Sequence, residues 1–412
     1  MKKLFLMFCV IFFSACSSEE VVVVFQENES AEIVTSSPTP SPEEPEILRF
    51  YPELPGKIAI IANEWLVSSL HFQSHGNWVL EILERYGEEN IIIYSWEWNE
   101  NYDSIVNEIS GNSEISVLIY DYGIGAIEDI QKQRDDIFLI YIDYYFPAGI
   151  DLRADLVLEV DSAAIARNFP AMATEMGAQT LIYFYEGFEW VSDEDKKDFE
   201  EYAENERLSM NFMRELCAEI GLGFAAVDIN GAIECGSSYD SFMTATIPPL
   251  IEQYGTDIVL FGLDNERVHW SWCGLEFIYL PLYSNWFEPH PADIGMYEVR
   301  LSDDSPYYET ENLPALIDEL KNNLAERNMN GRIATYPISM KFLFPIAAAE
   351  YGIMQMNGEV SGVDMHVLEN IIVGLIAEYT AIPEHGITLS AFEADGVTYE
   401  NYVLVLPDYL IY

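Results

Sequence analysis

From Lys57 onward the chain alternates short, continuous apolar runs with longer segments whose apolar residues recur every three or four positions. The short runs are Lys57–Ile61, Asn90–Tyr94, Ser116–Tyr120, Ile137–Ile142, Ala154–Val160, Thr180–Tyr185, Gly223–Val227, Asp257–Phe261 and Glu276–Leu280. They are rich in β-branched and aromatic residues and show little polar alternation, the pattern of parallel strands covered on both faces. Helical spacing falls at Trp65–Tyr86, Tyr102–Ser110, Gly125–Arg134, Ser162–Met176, Lys196–Ile220, Tyr239–Tyr254 and Asn265–Gly274. Beyond these, Asn312–Asn328, Ser339–Tyr351 and Asp364–Tyr379 also read as helices. Strand-helix alternation predicts right-handed βαβ units, hence an α/β fold of doubly wound parallel sheets.

The chain is 412 residues long and half apolar, enough for a two-lobed body with a real core. Its first residues read differently. Lys2 and Lys3 precede the apolar run Leu4–Phe13, the length of a signal-peptide core and too short to span a membrane as a mature helix. Phe13-Ser14-Ala15-Cys16 then resembles the bacterial lipobox, in which small residues precede a Cys whose thiol carries diacylglycerol. Residues 1–15 are therefore expected to be a lipoprotein signal peptide, with Cys16 the lipidated first residue of the mature chain. Acyl chains on Cys16 would form a stable anchor where a single chain is marginal. Residues 16–49 read as a disordered tether, with four prolines between Ser36 and Pro45. The Val21–Val24 run does not fit that description.

Charge narrows the partners. With 19 Lys and Arg against 70 Asp and Glu, the net charge of -51 repels polyanions, and nucleic-acid binding is excluded. Beyond Cys9 and Cys16 only Cys217, Cys235 and Cys273 remain, so at most one internal disulfide can form. Cys217 falls at helical spacing with Met210, Met213 and Ile220, a core pattern.

The informative residues follow the strands. Asn63-Glu64-Trp65, Trp96, Asp121-Tyr122, Asp143, Glu186, Asp228 with Asn230, and Asp264-Asn265 all fall at predicted carboxyl ends. In open α/β sheets the ligand crevice lies there. Asp and Asn at such positions also cap helices and make turns, but a cap needs no neighbouring indole or phenol. Trp65, Trp96, Tyr122 and Tyr185 are candidate stacking faces. Asp121, Asp143, Glu186, Asp228, Asn230 and Asp264 are candidate acceptors, and Arg167 is the only well-placed fixed cation. Such a mix suits a polyhydroxylated or amine-bearing ligand.

This layout resembles the type I periplasmic solute-binding proteins, the group that includes receptors for ribose, galactose and autoinducer-2. The resemblance rests on the junction Ala154-Asp155-Leu156-Val157-Leu158-Glu159-Val160-Asp161, the following helix with Arg167 and its Met176-Gly177-Ala178 end, and the βα units after it. Gly331-Arg332-Ile333-Ala334-Thr335-Tyr336-Pro337 and Asn401-Tyr402-Val403-Leu404-Val405-Leu406 are similar to an uncharacterised family of bacterial lipoproteins within that superfamily. The resemblance implies two doubly wound lobes joined by a hinge. Lobe one is expected to begin in 50–160, lobe two to occupy 161–290, and 291–412 to return to lobe one with additional helices and a C-terminal strand. That enlarged helical portion exceeds what a compact sugar receptor needs.

Gly123-Ile124-Gly125 follows a strand, but Glu128 replaces the third glycine of a dinucleotide fingerprint, and no P-loop, GxSxG or HExxH is present. No cofactor is expected. His269, His290 and Asp293 are metal-ligand types at irregular spacing. The expectation is an extracytoplasmic, lipid-anchored solute-binding protein, non-enzymatic, that closes over a small polar ligand for an ABC-type permease or sensor. A surface-anchored carbohydrate hydrolase using paired carboxylates, and a metal-binding or structural lipoprotein, are the alternatives.

Overall fold

The computed structural model describes residues 54–63, 78–96, 102–120, 124–143, 153–185, 196–228, 239–261, 280–281, 313–326, 330–383, 385–394 and 396–412. The first part of the chain forms β1 (Lys57–Asn63), α1 (Trp78–Tyr86), β2 (Ile91–Trp96), α2 (Tyr102–Gly111), β3 (Ile115–Tyr120), α3 (Ile124–Gln131), β4 (Phe138–Asp143) and β5 (Leu156–Val160). The middle forms α4 (Ser162–Met176), β6 (Thr180–Tyr185), α5 (Lys196–Ile220), β7 (Gly223–Asp228), α6 (Tyr239–Tyr254), β8 (Ile258–Phe261) and β9 (Leu280–Pro281). The last part forms α7 (Leu313–Glu326), β10 (Ile333–Thr335), α8 (Met340–Met356), α9 (Met365–Thr380), β11 (Ile387–Ala394), β12 (Val397–Pro407) and β13 (Leu410–Ile411).

The predicted strands sit within a few residues of their expected places, except that of Glu276–Leu280 only Leu280 lies among the described residues. The Asn265–Gly274 helix and the first part of the Trp65–Tyr86 helix lie outside the described residues. The larger sheet has the order β11-β12-β5-β4-β3-β1-β2. Its β2-β1-β3-β4-β5 portion is all parallel and has the doubly wound order in which the chain starts mid-sheet and winds outward both ways. A second parallel sheet has the order β7-β6-β8. Beside β8 lies β9, which pairs with β10, and β10 pairs in turn with β13. Residues 333–335 and 410–411, both in the expected return segment, thus stand next to β9. The architecture is the expected one of two parallel α/β sheet bodies.

Continuous apolar strands demand cover on both faces, and the burial pattern shows it. On one face of the larger sheet, Ile58, Ile60, Val117, Ile119, Ile140, Leu158, Val403 and Val405 pack against α1, α8 and α9. Their alternating neighbours Ala59, Ile61, Leu118, Tyr120, Leu139, Val157 and Tyr402 meet Ile105 and Ile109 of α2 and Ile127 and Ile130 of α3. The second sheet repeats the scheme. Leu181, Tyr183 and Val259 face Phe169 and Ala173 of α4 and Met213 and Cys217 of α5. Ile182, Phe184, Ile258 and Leu260 belong to the first cluster, with Ile247 of α6 and Leu316 and Leu320 of α7.

The additional helices are integral to the core. α8 is apolar nearly all round, as a fully buried helix must be, and rests on β3 and β4 between α1 and α9. A Cβ added at Gly352 would fall 2.8 Å from Val117 Cγ1, so glycine permits this approach of helix to strand. Tyr351 Oη donates to the Gly362 carbonyl and accepts from Asp364 N–H, which ties α8 to the start of α9. Asp364 caps α9, its carboxylate accepting from the N–H groups of His366 and Val367.

A partly buried polar network joins these helices. Arg85 of α1 reaches Glu378 of α9 at 2.5 Å and Glu81 at 3.3 Å, and donates to Tyr379 Oη at 2.9 Å. Tyr379 donates to Glu81, and Tyr86 donates to Glu350 of α8. Burial alone would lower the Arg85 pKa, but the Glu378 hydrogen bond and its neighbours drive it upward, and the group stays charged. Arg85→Met is expected to strand two carboxylates and cost about 2–3 kcal/mol, below the fully buried case because the glutamates are partly solvated. Urea unfolding at constant m-value measures this, and a loss below about 0.5 kcal/mol would place the network with ordinary surface pairs.

Candidate functional site

The carboxyl edges of the two sheets collect residues of the expected types. Asn63 and Trp96 are register partners at the ends of β1 and β2. Asp143, the last residue of β4, is the partner of Glu159 on β5. On the second sheet, Tyr185 at the end of β6 is the partner of Asp228 at the end of β7. Tyr185 and Asp228 are both half-buried, and Tyr185 packs against the cluster beneath it. The sequence reading missed Glu159. It accepts a hydrogen bond from the buried Tyr402, and its signal was visible as an acid at the carboxyl end of an otherwise apolar strand. Glu64, Trp65, Asp121, Tyr122, Glu186, Asn230, Asp264 and Asn265 lie outside the described residues, as does Cys16.

Other polar groups in the two bodies serve structure. Asp161, also at a strand end, is a helix cap whose Oδ1 accepts from Ala164 N–H at 2.8 Å. At the other end of α4, Gly177 takes φ 107° and Ala178 N–H closes on the Ala173 carbonyl. Arg167, in the second turn of α4, is exposed, its Nε 3.4 Å from the Ala163 carbonyl. The amino edges are stitched by ion pairs and hydrogen bonds. Lys57 meets Glu114, Arg134 holds Asp136 and the Ile115 carbonyl, Asp155 accepts from Leu139 N–H, and Gln179 and Arg332 converge on Asp257. Burial pushes the Cys217 thiol up to about 11, so it is an inert core group at neutral pH. Among the described residues no three His, Cys, Asp or Glu side chains gather as a metal site. His269, His290, Asp293, Cys235 and Cys273 fall outside those residues.

Among the described residues, three segments connect the two bodies. The first is Asp161, between β5 and α4, whose N–H donates to the Val405 carbonyl of β12 at 2.9 Å. The second runs from β10 through Tyr336-Pro337-Ile338-Ser339 into α8. The third is Asp408-Tyr409, between β12 and β13. His385 Nε2 lies 2.6 Å from the Asp408 carbonyl, and Asp408 N–H donates to the Gly386 carbonyl. His385 is buried, and burial lowers its pKa despite the opposing pull of Asp408.

Two parallel α/β bodies, joined among the described residues by three short segments, are consistent with the expected two-lobed fold of the type I periplasmic-binding-protein kind. Residues 81–334 match the family described as "Protein of unknown function (DUF3798)", and the chain belongs to that family. No curated protein is significantly similar in sequence. Among solved structures, the chain is similar to a "Putative transcriptional regulator" from Clostridium difficile 630, at 20% identity and a TM-score of 0.66, over 87% of this chain and 99% of that one. At that identity the likeness is one of fold. Weaker likenesses reach a sugar ABC transporter protein from Actinomyces odontolyticus ATCC 17982, at 13% identity and a TM-score of 0.44 over 74% of this chain and 84% of that one. A periplasmic solute-binding protein of an ABC transporter from Actinobacillus succinogenes 130z, with bound D-allose, has 13% identity and a TM-score of 0.40 over 76% of this chain and 99% of that one. Among the described residues no helix is long and apolar enough to cross a membrane.

The lowered pKa of His385 has a sign that can be measured. Between its ordinary value of 6.5 and the lower folded value, the unfolded chain binds a proton that the folded chain refuses. Its contribution to stability is therefore present at pH 7 and falls as the pH drops below 6.5. In His385→Gln, whose amide N–H still reaches toward the Asp408 carbonyl, urea midpoints should decline less between pH 7 and pH 5 than in the wild type. Parallel declines would remove His385 from the acid response.

Proposed function

We propose that the chain is an extracytoplasmic solute-binding protein that closes two α/β lobes over a small polar ligand and presents it to an ABC-type permease or a membrane sensor. The first lobe begins in 50–160 and the second occupies 161–290; the 291–412 segment returns to the first through Tyr336–Ser339, while β10 and β13 stay in the sheet of β9. The observation that carries this reading is the matched composition of the two carboxyl edges. One bears Asn63, Trp96, Asp143 and Glu159, the other Tyr185 and Asp228, in a fold whose ligands bind outside the carboxyl ends of the strands. Indole and phenol faces cover carbon while carboxylates accept from hydroxyl or ammonium donors, so a polyhydroxylated or amine-bearing solute fits. Glu64, Trp65, Asp121, Tyr122, Glu186, Asn230, Asp264 and Asn265 complete the proposed site, with Arg167 as its candidate fixed cation. Binding requires no covalent step and no cofactor. Lipid on Cys16 would hold the body at the outer face of a bacterial membrane through the 16–49 tether.

Native mass spectrometry of freshly purified protein should reveal a retained small molecule. Calorimetry with that molecule should then show Trp96→Ala losing about 1–3 kcal/mol of affinity, as a buried anchor does. Asp228→Asn keeps the shape and should weaken an ammonium-bearing ligand most. No retained molecule, or unchanged affinity in both variants with the fold intact, overturns the site. The anchor is tested separately. Cys16→Ser should move from the detergent phase to the aqueous phase in Triton X-114 partitioning, and unchanged partitioning overturns lipidation while leaving the ligand site standing.

A further inference from the structure

Of the three segments that join the two bodies, the second and third are in direct contact through a pair of rings. Tyr336 opens one and Tyr409 sits in the other, with ring centroids 5.0 Å apart and planes tilted by 42°. Tyr336 is 1% exposed, and the residues after it, Ile338 and Ser339, are buried as well. The Tyr409 hydroxyl is enclosed and faces the Tyr336 phenol. Both segments carry a proline beside the tyrosine, Pro337 directly after Tyr336 and Pro407 two residues before Tyr409. Each ring fixes φ at its own position, so any relative rotation of the bodies must be absorbed by the few residues left, Ile338-Ser339 and Asp408-Tyr409. The tyrosine pair links the two segments at positions beside or within those residues. Asp161 N–H, bonded to the Val405 carbonyl, ties the remaining connection to the strand that leads into the third.

We propose that Tyr336 and Tyr409 form a latch across two of the three connections, coupling them so that they move together and setting how readily the two bodies rotate. This rests on the two-lobe reading but needs no ligand. Separating the rings exposes two aromatic faces to water and frees two backbone segments at once, whereas rotation with the rings in contact must turn both segments by the same amount. The latch therefore resists independent motion of either connection.

The test uses the full-length protein without ligand. Hydrogen-exchange mass spectrometry compares peptides spanning 331–341 and 406–412 with peptides from the interiors of β3 and β6, in the wild type, Tyr336→Ala, Tyr409→Ala, the double variant and Tyr409→Phe. Each alanine variant should accelerate exchange in both connecting peptides by at least about tenfold while β3 and β6 keep their protection. The double variant should be no faster than the faster single one, since a shared contact is lost only once. Tyr409→Phe keeps the ring and should keep the protection. Small-angle scattering of the double variant should show a broader distribution of interatomic distances. Acceleration confined to the substituted segment, additive single effects, or an unchanged distance distribution overturns the latch. Should the alanine variants fail to fold, Tyr336→Leu and Tyr409→Leu retain apolar bulk without a ring. Protection must still fall in the opposite segment, and its retention there overturns the proposal. Because no outcome involves solute, failure of the latch is distinct from failure of the binding site.

Discussion

Everything in the larger body depends on burying a parallel sheet that is apolar on both faces. A half-polar sheet can leave one side to water, but Ile58, Ile60, Ile119 and Ile140 on one face and Ala59, Ile61, Leu118 and Leu139 on the other leave no solvated option. The chain between its strands supplies α2 and α3 for one face. For the other, α1 alone is too short, and α8 and α9 close the deficit from more than two hundred residues downstream. The close seat of α8 on β3 at Gly352, the Tyr351 link to α9 and the Arg85 network all serve that cover. The helices that exceed a compact receptor's needs by sequence count thus complete the cover of one face of that sheet.

Polarity divides the molecule along the strand axis. Described amino edges are neutralised by local partners such as Lys57 with Glu114 and Arg332 with Asp257. At the carboxyl edges, the last residues of β1, β2, β4, β6 and β7 are Asn63, Trp96, Asp143, Tyr185 and Asp228, with no Lys or Arg among them. Surface ion pairs at the amino edges contribute little individually to stability. Their consequence is positional, because they gather the described lysines and arginines of these edges at the amino ends of the strands.

Much of this was legible in the sequence, and the reasons are specific. Continuous runs such as Ser116–Tyr120 and Thr180–Tyr185 announce buried strands because no polar position interrupts them, and Asp161 and Gly177 bracket α4 with the chemistry of a cap and a left-handed turn. The carboxyl-edge residues followed from the strand ends. β10 and β13 were missed because two or three residues carry no period. β11 was missed although Asp395-Gly396 before Val397 is a hairpin signal, since Thr388, Ser390 and Glu393 make it read as a solvated edge. The contacts of Arg85 with Glu378 and of Tyr402 with Glu159 join residues hundreds of positions apart, and no local pattern encodes such pairs.

The weave of β12 into the larger sheet beside β5, followed at once by β13 beside β10, has a consequence for the order of events as the chain emerges from a ribosome or a translocon. The first five strands can collapse early, but one face of their sheet is covered by α1 alone until Met340–Thr380 arrives, and neither sheet system has its last strand until residues 397–411 do. A nascent chain of this design presents incompletely covered apolar surface for most of its synthesis, which favours folding as a single late event.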